Sequence, residues 1–158
     1  VHDKLENTVN NRINPILCIG ETLKDREAGN TIPVLKNQIE IAFKNLDFTK
    51  VEIVIAYEPV WAIGTGVAAD FETIAETHQQ IRAFLQDYIS NANEISILYG
   101  GSVNPENCRD ILNIKDVDGF LIGGASLDPQ KFLNIYTQMN EIGVESLWFI
   151  IWLYQLCL

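Results

Sequence analysis

Glu58 and the pairs Gly100-Gly101 and Gly123-Gly124 are the residues whose types and positions could do chemistry. Glu58 ends the apolar run Ile53-Val54-Ile55-Ala56-Tyr57, which places its carboxylate at the rim of a partly dry site. Desolvation raises a carboxyl pKa and makes the group a better base. Pro59 follows at once and restricts Glu58 to an extended backbone. The loop continues Val60-Trp61-Ala62-Ile63-Gly64-Thr65-Gly66. Its small residues at the far end supply hinges, and Val60, Trp61 and Ile63 supply a water-excluding face. A solvated carboxylate on an ordinary loop is the competing reading of Glu58 on its own.

Each glycine pair follows a strand-like apolar run. A strand ending in Gly-Gly lets bare backbone approach a ligand and aim N–H groups at it. With a helix N-terminus behind, such a turn makes an anion site. One pair alone reads better as a chain turn. Two pairs after successive strands favour a phosphate, and barrel enzymes often build phosphate sites from the loops after their last two strands.

The bulk composition sets limits on partners. The 158 residues are 47% apolar and 20% charged, which suits one ordinary globular domain. Acidic residues number 21 against 11 basic, a formal net charge of -10. That surface repels nucleic acid and anionic membranes, and no Lys/Arg cluster offsets it. An anionic substrate therefore needs a local device. Cys18, Cys108 and Cys157 have no paired spacing, which argues against a disulfide framework and suits a reducing compartment. His2 and His78 lie apart from them, so no metal site is expected. The polar start has neither a signal-peptide core nor an initiating Met, which suggests that the chain begins in mid-protein. Residues 147–158 are almost wholly apolar, but a membrane span needs roughly 20 such residues. This run reads as a segment packed on exposed core, or as an aberrant end.

Four apolar runs, 15–20, 51–57, 95–99 and 117–122, have strand length and no strict alternation, as in strands buried on both faces. Between them lie helical periods. One carries Val34, Leu35, Gln38, Ile39, Ala42, Phe43 and Leu46, and another runs from Phe71 to Tyr88 with Ile74, His78, Ile81 and Leu85. Asp70, Asn104-Pro105 and Asp128-Pro129 mark helix starts. A helix followed by four strand–helix units means an α/β protein with parallel strands. Order alone leaves an open doubly wound sheet and a barrel equally possible, and both bind ligands at the carboxyl ends of their strands.

Ala56-Tyr57-Glu58-Pro59-Val60-Trp61-Ala62-Ile63-Gly64-Thr65-Gly66 resembles the signature of the triosephosphate isomerase family. Cys18-Ile19-Gly20-Glu21, Tyr99-Gly100-Gly101-Ser102-Val103 and Gly119–Leu127 resemble it in the same order and spacing. The resemblance implies the C-terminal half, strands 5–8, of a TIM (β/α)8 barrel over residues 1–140, with an atypical hydrophobic tail at 141–158. It implies interconversion of dihydroxyacetone phosphate and glyceraldehyde 3-phosphate through an enediolate. Glu58 would be the base. Pro59, Val60, Trp61, Ala62, Ile63, Gly64, Thr65 and Gly66 would form the lid. Gly64, Ser102, Gly123 and Gly124 would hold the substrate phosphate. Tyr99 and Ser102 would bond the closed lid near Gly66 and Ala69, Glu21 would meet the Trp61 indole, and Arg82 would pair with Asp118. No metal or organic cofactor is implied. A cytoplasmic homodimer is implied for the full-length family, with no nucleic-acid or membrane partner.

The sequence departs from the family in two places. The Asn-x-Lys motif of the first strand and the His-Ser-Glu motif after the fourth are absent. The lysine supplies positive charge to the substrate and the histidine is the neutral electrophile. Neither His2 nor His78 substitutes, and His78 reads as an ordinary helix residue. Four strand–helix units cannot close an eight-stranded barrel, which leaves strand edges and half a core unprotected. The expectation is a partial chain, inactive or weakly active alone. The alternatives are a non-catalytic phosphate-binding half-barrel and another phosphate-sugar enzyme of barrel type, the latter disfavoured by the 58–66 lid.

Overall fold

The computed structural model describes residues 1–63, 69–141 and 148–151, the last four as backbone. It contains helices α1 (His2–Asn10), α2 (Leu23–Glu27), α3 (Thr31–Phe43), α4 (Phe71–Leu85), α5 (Cys108–Leu112) and α6 (Pro129–Glu141). The strands are β1 (Ile16–Ile19), β2 (Val54–Tyr57), β3 (Ile97–Tyr99), β4 (Gly119–Ile122) and β5 (Trp148–Ile151).

Every neighbouring pair is parallel and the sheet order is β1-β2-β3-β4-β5. A doubly wound sheet reverses its strand order at a switch point. This sheet has no reversal, so the winding is that of a barrel wall. The question that the sequence left open is decided by topology.

Alternation along the strands gives the sheet two faces. Leu17, Ile19, Ile55, Tyr57, Ile97, Tyr99, Phe120 and Ile122 point to the helices and join the main core with Leu35, Ile39, Ile74, Ile81 and Ile111. Val54, Ala56, Leu98 and Leu121 point the other way and form a second cluster, 0–3% exposed. On β1 the same face is open: Ile16 is 39% exposed and Cys18 is exposed. The expected unprotected half-core is thus confined, among the described residues, to the β1 side.

The apolar runs overestimated strand length. Ile53 and Ile95 are buried yet lie outside the ladder, because burial of a side chain extends beyond the paired backbone. Helix starts mostly follow the sequence. Asp70 caps α4 by accepting from the Thr73 N–H at 2.8 Å, and Asp128 accepts from the N–H groups of Gln130 and Lys131 ahead of α6. Asn104-Pro105 does not start a helix. Asn104 Oδ1 accepts from the N–H groups of Glu106 and Asn107 in a turn, and α5 begins only at Cys108. Helix α2 is an addition, fixed by a capping box in which Thr22 and Asp25 bond each other's backbone N–H.

The larger correction concerns the tail. Four strands were expected, with the apolar C-terminal run packed on the core or aberrant. Instead Trp148–Ile151 extends the sheet as a fifth parallel strand beside β4, while residues 152–158 lie outside the described ones. Its apolar composition suits a strand as well as a packing segment. Among the described residues no helix is long and apolar enough to cross a membrane.

Candidate active site

Glu58 is the first residue past β2 and continues the alternation of Val54 and Ala56, so its side chain belongs to the concave face. Its backbone is held from one side by the N–H bond to the Ile19 carbonyl at 2.7 Å. Gly20 is pressed against it: a β-carbon there would lie 1.8 Å from the Glu58 carbonyl oxygen. Gln38 of α3 fixes Gly20 by accepting from its N–H and donating to its carbonyl, both at 2.9 Å. On the other side a β-carbon on Gly100 would lie 2.5 Å from Glu58 Cγ and 3.1 Å from Oε1. Gly20 thus gives room to the Glu58 backbone, and Gly100 makes the slot in which its side chain stands. Burial pushes the Glu58 carboxyl up from its ordinary value, partly offset by a hydrogen bond from the Cys18 side chain.

The start of the loop after Glu58 is anchored by a buried acid. Glu21, 0% exposed, accepts at Oε1 from Trp61 Nε1 (3.0 Å), the Tyr57 hydroxyl (3.2 Å) and Arg26 Nη1 (3.2 Å). Its backbone carbonyl takes the Val60 N–H at 3.1 Å. Arg26 also lies 5.4 Å from the Trp61 ring centroid and donates to Thr73 Oγ1 at 2.9 Å. Pro59 leads into a 3-10 turn, Val60–Ala62, with Ala62 buried and Val60 exposed. Ile63 is half-buried, and Gly64, Thr65 and Gly66 lie outside the described residues.

The loop after β3 is tied to both flanks of that segment. Ser102 Oγ donates to the Ala62 carbonyl at 2.9 Å, and the Ala69 N–H donates to the Tyr99 hydroxyl at 3.4 Å. Asn107 holds the Ser102 carbonyl at 2.9 Å. Gly101 has no room for a side chain, since a β-carbon would lie 2.1 Å from the Tyr99 hydroxyl. Gly123 and Gly124 differ: among the described residues nothing lies within 4 Å of a β-carbon at either. They open a 3-10 turn, Gly124–Leu127, in which Ser126 bonds the Gly123 carbonyl through both N–H and Oγ. Bare backbone facing open space is what an anion cradle requires.

Residues outside the slot show where spacing alone misleads. His78 is not an ordinary helix residue. It is 0% exposed and lies between the rings of Tyr57 (5.7 Å) and Tyr99 (6.2 Å). Its Nδ1–H donates to the Asp116 carbonyl at 2.9 Å, and Nε2 has no hydrogen-bond partner among the described residues. Burial is the main force holding its pKa down at about 4. Arg82 pairs with Asp118 at 2.5 Å and Asp116 at 3.4 Å, and also donates to the carbonyls of Ala92 and Ile95. Only 12% of its side chain is exposed, so it is no solvated surface pair. His2 binds the Ala42 carbonyl, far in sequence from the slot. Arg26, Gln38 and Tyr57 were not picked out from the sequence as support for the site, although Thr22-x-x-Asp25 signals the short helix that carries Arg26.

A groove of about 830 Å³ lined by Asn14, Asp47, Phe48, Glu52 and Tyr88 lies at the amino ends of the strands. That is the face opposite to Glu58, and in barrels it serves stability. Among the described residues no group of three His, Cys, Asp or Glu could hold a metal ion.

A sequence profile of the family described as triosephosphate isomerase matches residues 1–139. The chain is 48% identical over 147 residues to a triosephosphate isomerase of Francisella tularensis subsp. tularensis (strain SCHU S4 / Schu 4), covering 92% of this chain and 58% of the relative. It is 46% identical over 147 residues to one of Francisella philomiragia, with the same shares. Against one of Vesicomyosocius okutanii it is 49% identical over 138 residues, which cover 85% of this chain and 55% of the relative. The chain thus spans little more than half the length of these curated relatives.

Proposed function

This chain belongs to the triosephosphate isomerase family, and from that premise we propose that it forms strands 5–8 of the isomerase barrel, the half that carries the base, the lid and the phosphate cradle. Residues 1–140 form the partial barrel and 141–158 an appended tail. In the assembled enzyme Glu58 moves a proton between the two carbons flanking the carbonyl of dihydroxyacetone phosphate, giving an enediolate and then glyceraldehyde 3-phosphate. The observation that carries this reading is the Glu58 side chain standing against Gly100, where a β-carbon would lie 2.5 Å from Cγ, with the Glu58 backbone packed on Gly20. Two features suit it to the work. Burial makes it a stronger base than a free carboxylate, and Pro59 with the Ile19 bond fixes its backbone.

The phosphate is held by backbone N–H groups of Gly64, Gly123 and Gly124 together with Ser102. The segment Pro59–Gly66 is the lid that shields the enediolate from water and from loss of its phosphate. Glu21 and Tyr99 support it, and their bonds to Trp61 and Ala69 favour that role. The reaction needs no metal or organic cofactor. A homodimer and a cytoplasmic setting belong to the full-length protein.

Alone, this chain is weakly active or inactive. His2 and His78 both bond backbone carbonyls away from Glu58, so neither supplies the electrophile. That observation favours a second reading for the isolated chain, a phosphate-binding half-barrel without turnover. Phosphoglycolate titration with an isomerase assay separates the two. Binding with turnover that collapses on Glu58→Asp supports the enzyme, binding without turnover supports the binder, and turnover that survives Glu58→Asp removes Glu58 as the base.

A further inference from the structure

We infer that Trp148–Ile151 is a built-in closing strand: it holds the β4 edge at which the complementary part of a barrel would pair, and must leave before that part can dock. The inference rests on the reading of this chain as strands 5–8 and adds a competition to it.

A strand offers two hydrogen-bonding edges. One edge of β4 is taken by β3 and the other by β5. The second ladder runs the whole length of β4, pairing Gly119 with Trp148, Phe120 with Phe149, Leu121 with Ile150 and Ile122 with Ile151. A closed barrel pairs its last strand with its first through the same kind of ladder. In this chain the family match stops at residue 139, so β4 is the last strand inside it and β5 lies beyond it. The tail therefore takes the place of a strand that the matched region would receive from elsewhere. Two strands cannot share that edge.

The arrangement protects the chain. An apolar edge left bare is a template for pairing with other chains. Burial on the concave face follows the same polarity. Leu121, Leu98, Ala56 and Val54 are 0–3% exposed, whereas Ile16 and Cys18, on the strand furthest from β5, are exposed. Among the described residues β1 pairs only with β2. A complementary partner thus meets one open edge and one already filled. That partner is a polypeptide with apolar strands that add in parallel, supplied by the portion of the family that this chain does not span.

The test mixes the full chain, and its Phe149→Pro/Ile150→Pro variant, with the separately made segment of the Francisella tularensis relative that this chain does not span. Association is followed by sedimentation velocity and exposure of β4 by hydrogen exchange at residues 119–122. Prolines remove ladder donors, so exchange at 119–122 should quicken. Association should tighten about tenfold, as for an edge open in about one parent molecule in ten. Phe149→Asp keeps the backbone donors and should shift both readouts the same way by less. Unchanged exchange at 119–122 would overturn the inference. Equal affinities despite quickened exchange would overturn it too, yet leave the half-barrel reading standing. No association by any variant with the edge freed would overturn both.

Discussion

The α-carbon of Gly100 faces the side chain of Glu58 so closely that a β-carbon there would lie 2.5 Å from Glu58 Cγ. Gly20 makes the same approach to the backbone of Glu58, at 1.8 Å from its carbonyl oxygen. The two contacts look alike and should fail differently. A side chain can swing away and a backbone cannot. Gly100→Ala should therefore cost less stability than Gly20→Ala, about 1 against about 3 kcal/mol. Urea denaturation of the two variants measures both. In Gly100→Ala the displaced carboxyl should also titrate closer to its ordinary value, which NMR titration of Glu58 would show. Equal stability losses would mean that the slot does not discriminate between side chain and backbone.

The raised pKa of Glu58 has a stability consequence whose sign is fixed. A carboxyl whose folded pKa lies above its unfolded value binds protons more tightly when folded. Its contribution is therefore most favourable below the unfolded value and is lost as pH rises through the folded one. At neutral pH the buried charge opposes folding. Glu58→Gln should stabilise the chain at pH 7 and have almost no effect near pH 4. Thermal melts at the two pH values read this directly, and a destabilised Glu58→Gln at pH 7 would contradict it. A buried carboxylate that costs stability is what the proposed role of Glu58 as the base would require.

Much of this site could be read in the sequence because its parts are contiguous. Tyr57-Glu58-Pro59 sets a carboxylate, its restricted backbone and the loop entry within three residues, and the strand run behind it sets which face Glu58 takes. What could not be read is assembled across the fold. Gln38 holds Gly20 from a helix 18 residues away, and Arg26 reaches both Glu21 and Thr73. Periodicity marks Gln38 as core-facing but cannot say that its amide bonds a glycine. His78 fits the helical period, which records burial and is silent on what the ring touches. The tail composition showed an apolar segment, but strand pairing depends on the free edge of β4, which exists only once the sheet is formed. Asn104-Pro105 failed because an Asn side chain can close a turn as readily as cap a helix.

Arg82 should be irreplaceable by lysine. Its guanidinium donates to Asp118, to Asp116 and to the carbonyls of Ala92 and Ile95, and so ties α4 to the start of β3 and of β4. A lysine brings one ammonium point and cannot reach four acceptors in those directions. Arg82→Lys should lose most of what Arg82→Ala loses, on the order of 2–3 kcal/mol, because carbonyls and a carboxylate are left short of donors. Chemical denaturation of the two variants settles the comparison. Near-complete rescue by lysine would reduce the site to simple charge pairing.

His78 should make the chain acid-sensitive well above the carboxylate range. The groups that face it are the Asp116 carbonyl and carboxylate, the Arg82 guanidinium, and the rings of Tyr57 and Tyr99. Burial, with Nε2 unpartnered among the described residues, keeps the folded ring neutral down to about pH 4, while an unfolded histidine titrates near 6.5. Between those values the unfolded chain binds the extra proton. Stability is then full above about pH 6.5 and falls as pH drops towards 4, by about 3 kcal/mol in total. His78→Asn keeps a donor for the Asp116 carbonyl but does not titrate, so its stability should change less over this window. Urea melts of both proteins at pH 7, 5.5 and 4.5 give the slopes. Because His78 lies between Tyr57, next to Glu58, and Tyr99, which bonds Ala69, the same acid range should loosen the packing around Glu58 and Ala69. Parallel slopes for the two proteins would show that the buried ring takes up its proton without cost and that the histidine is not the acid-sensitive element.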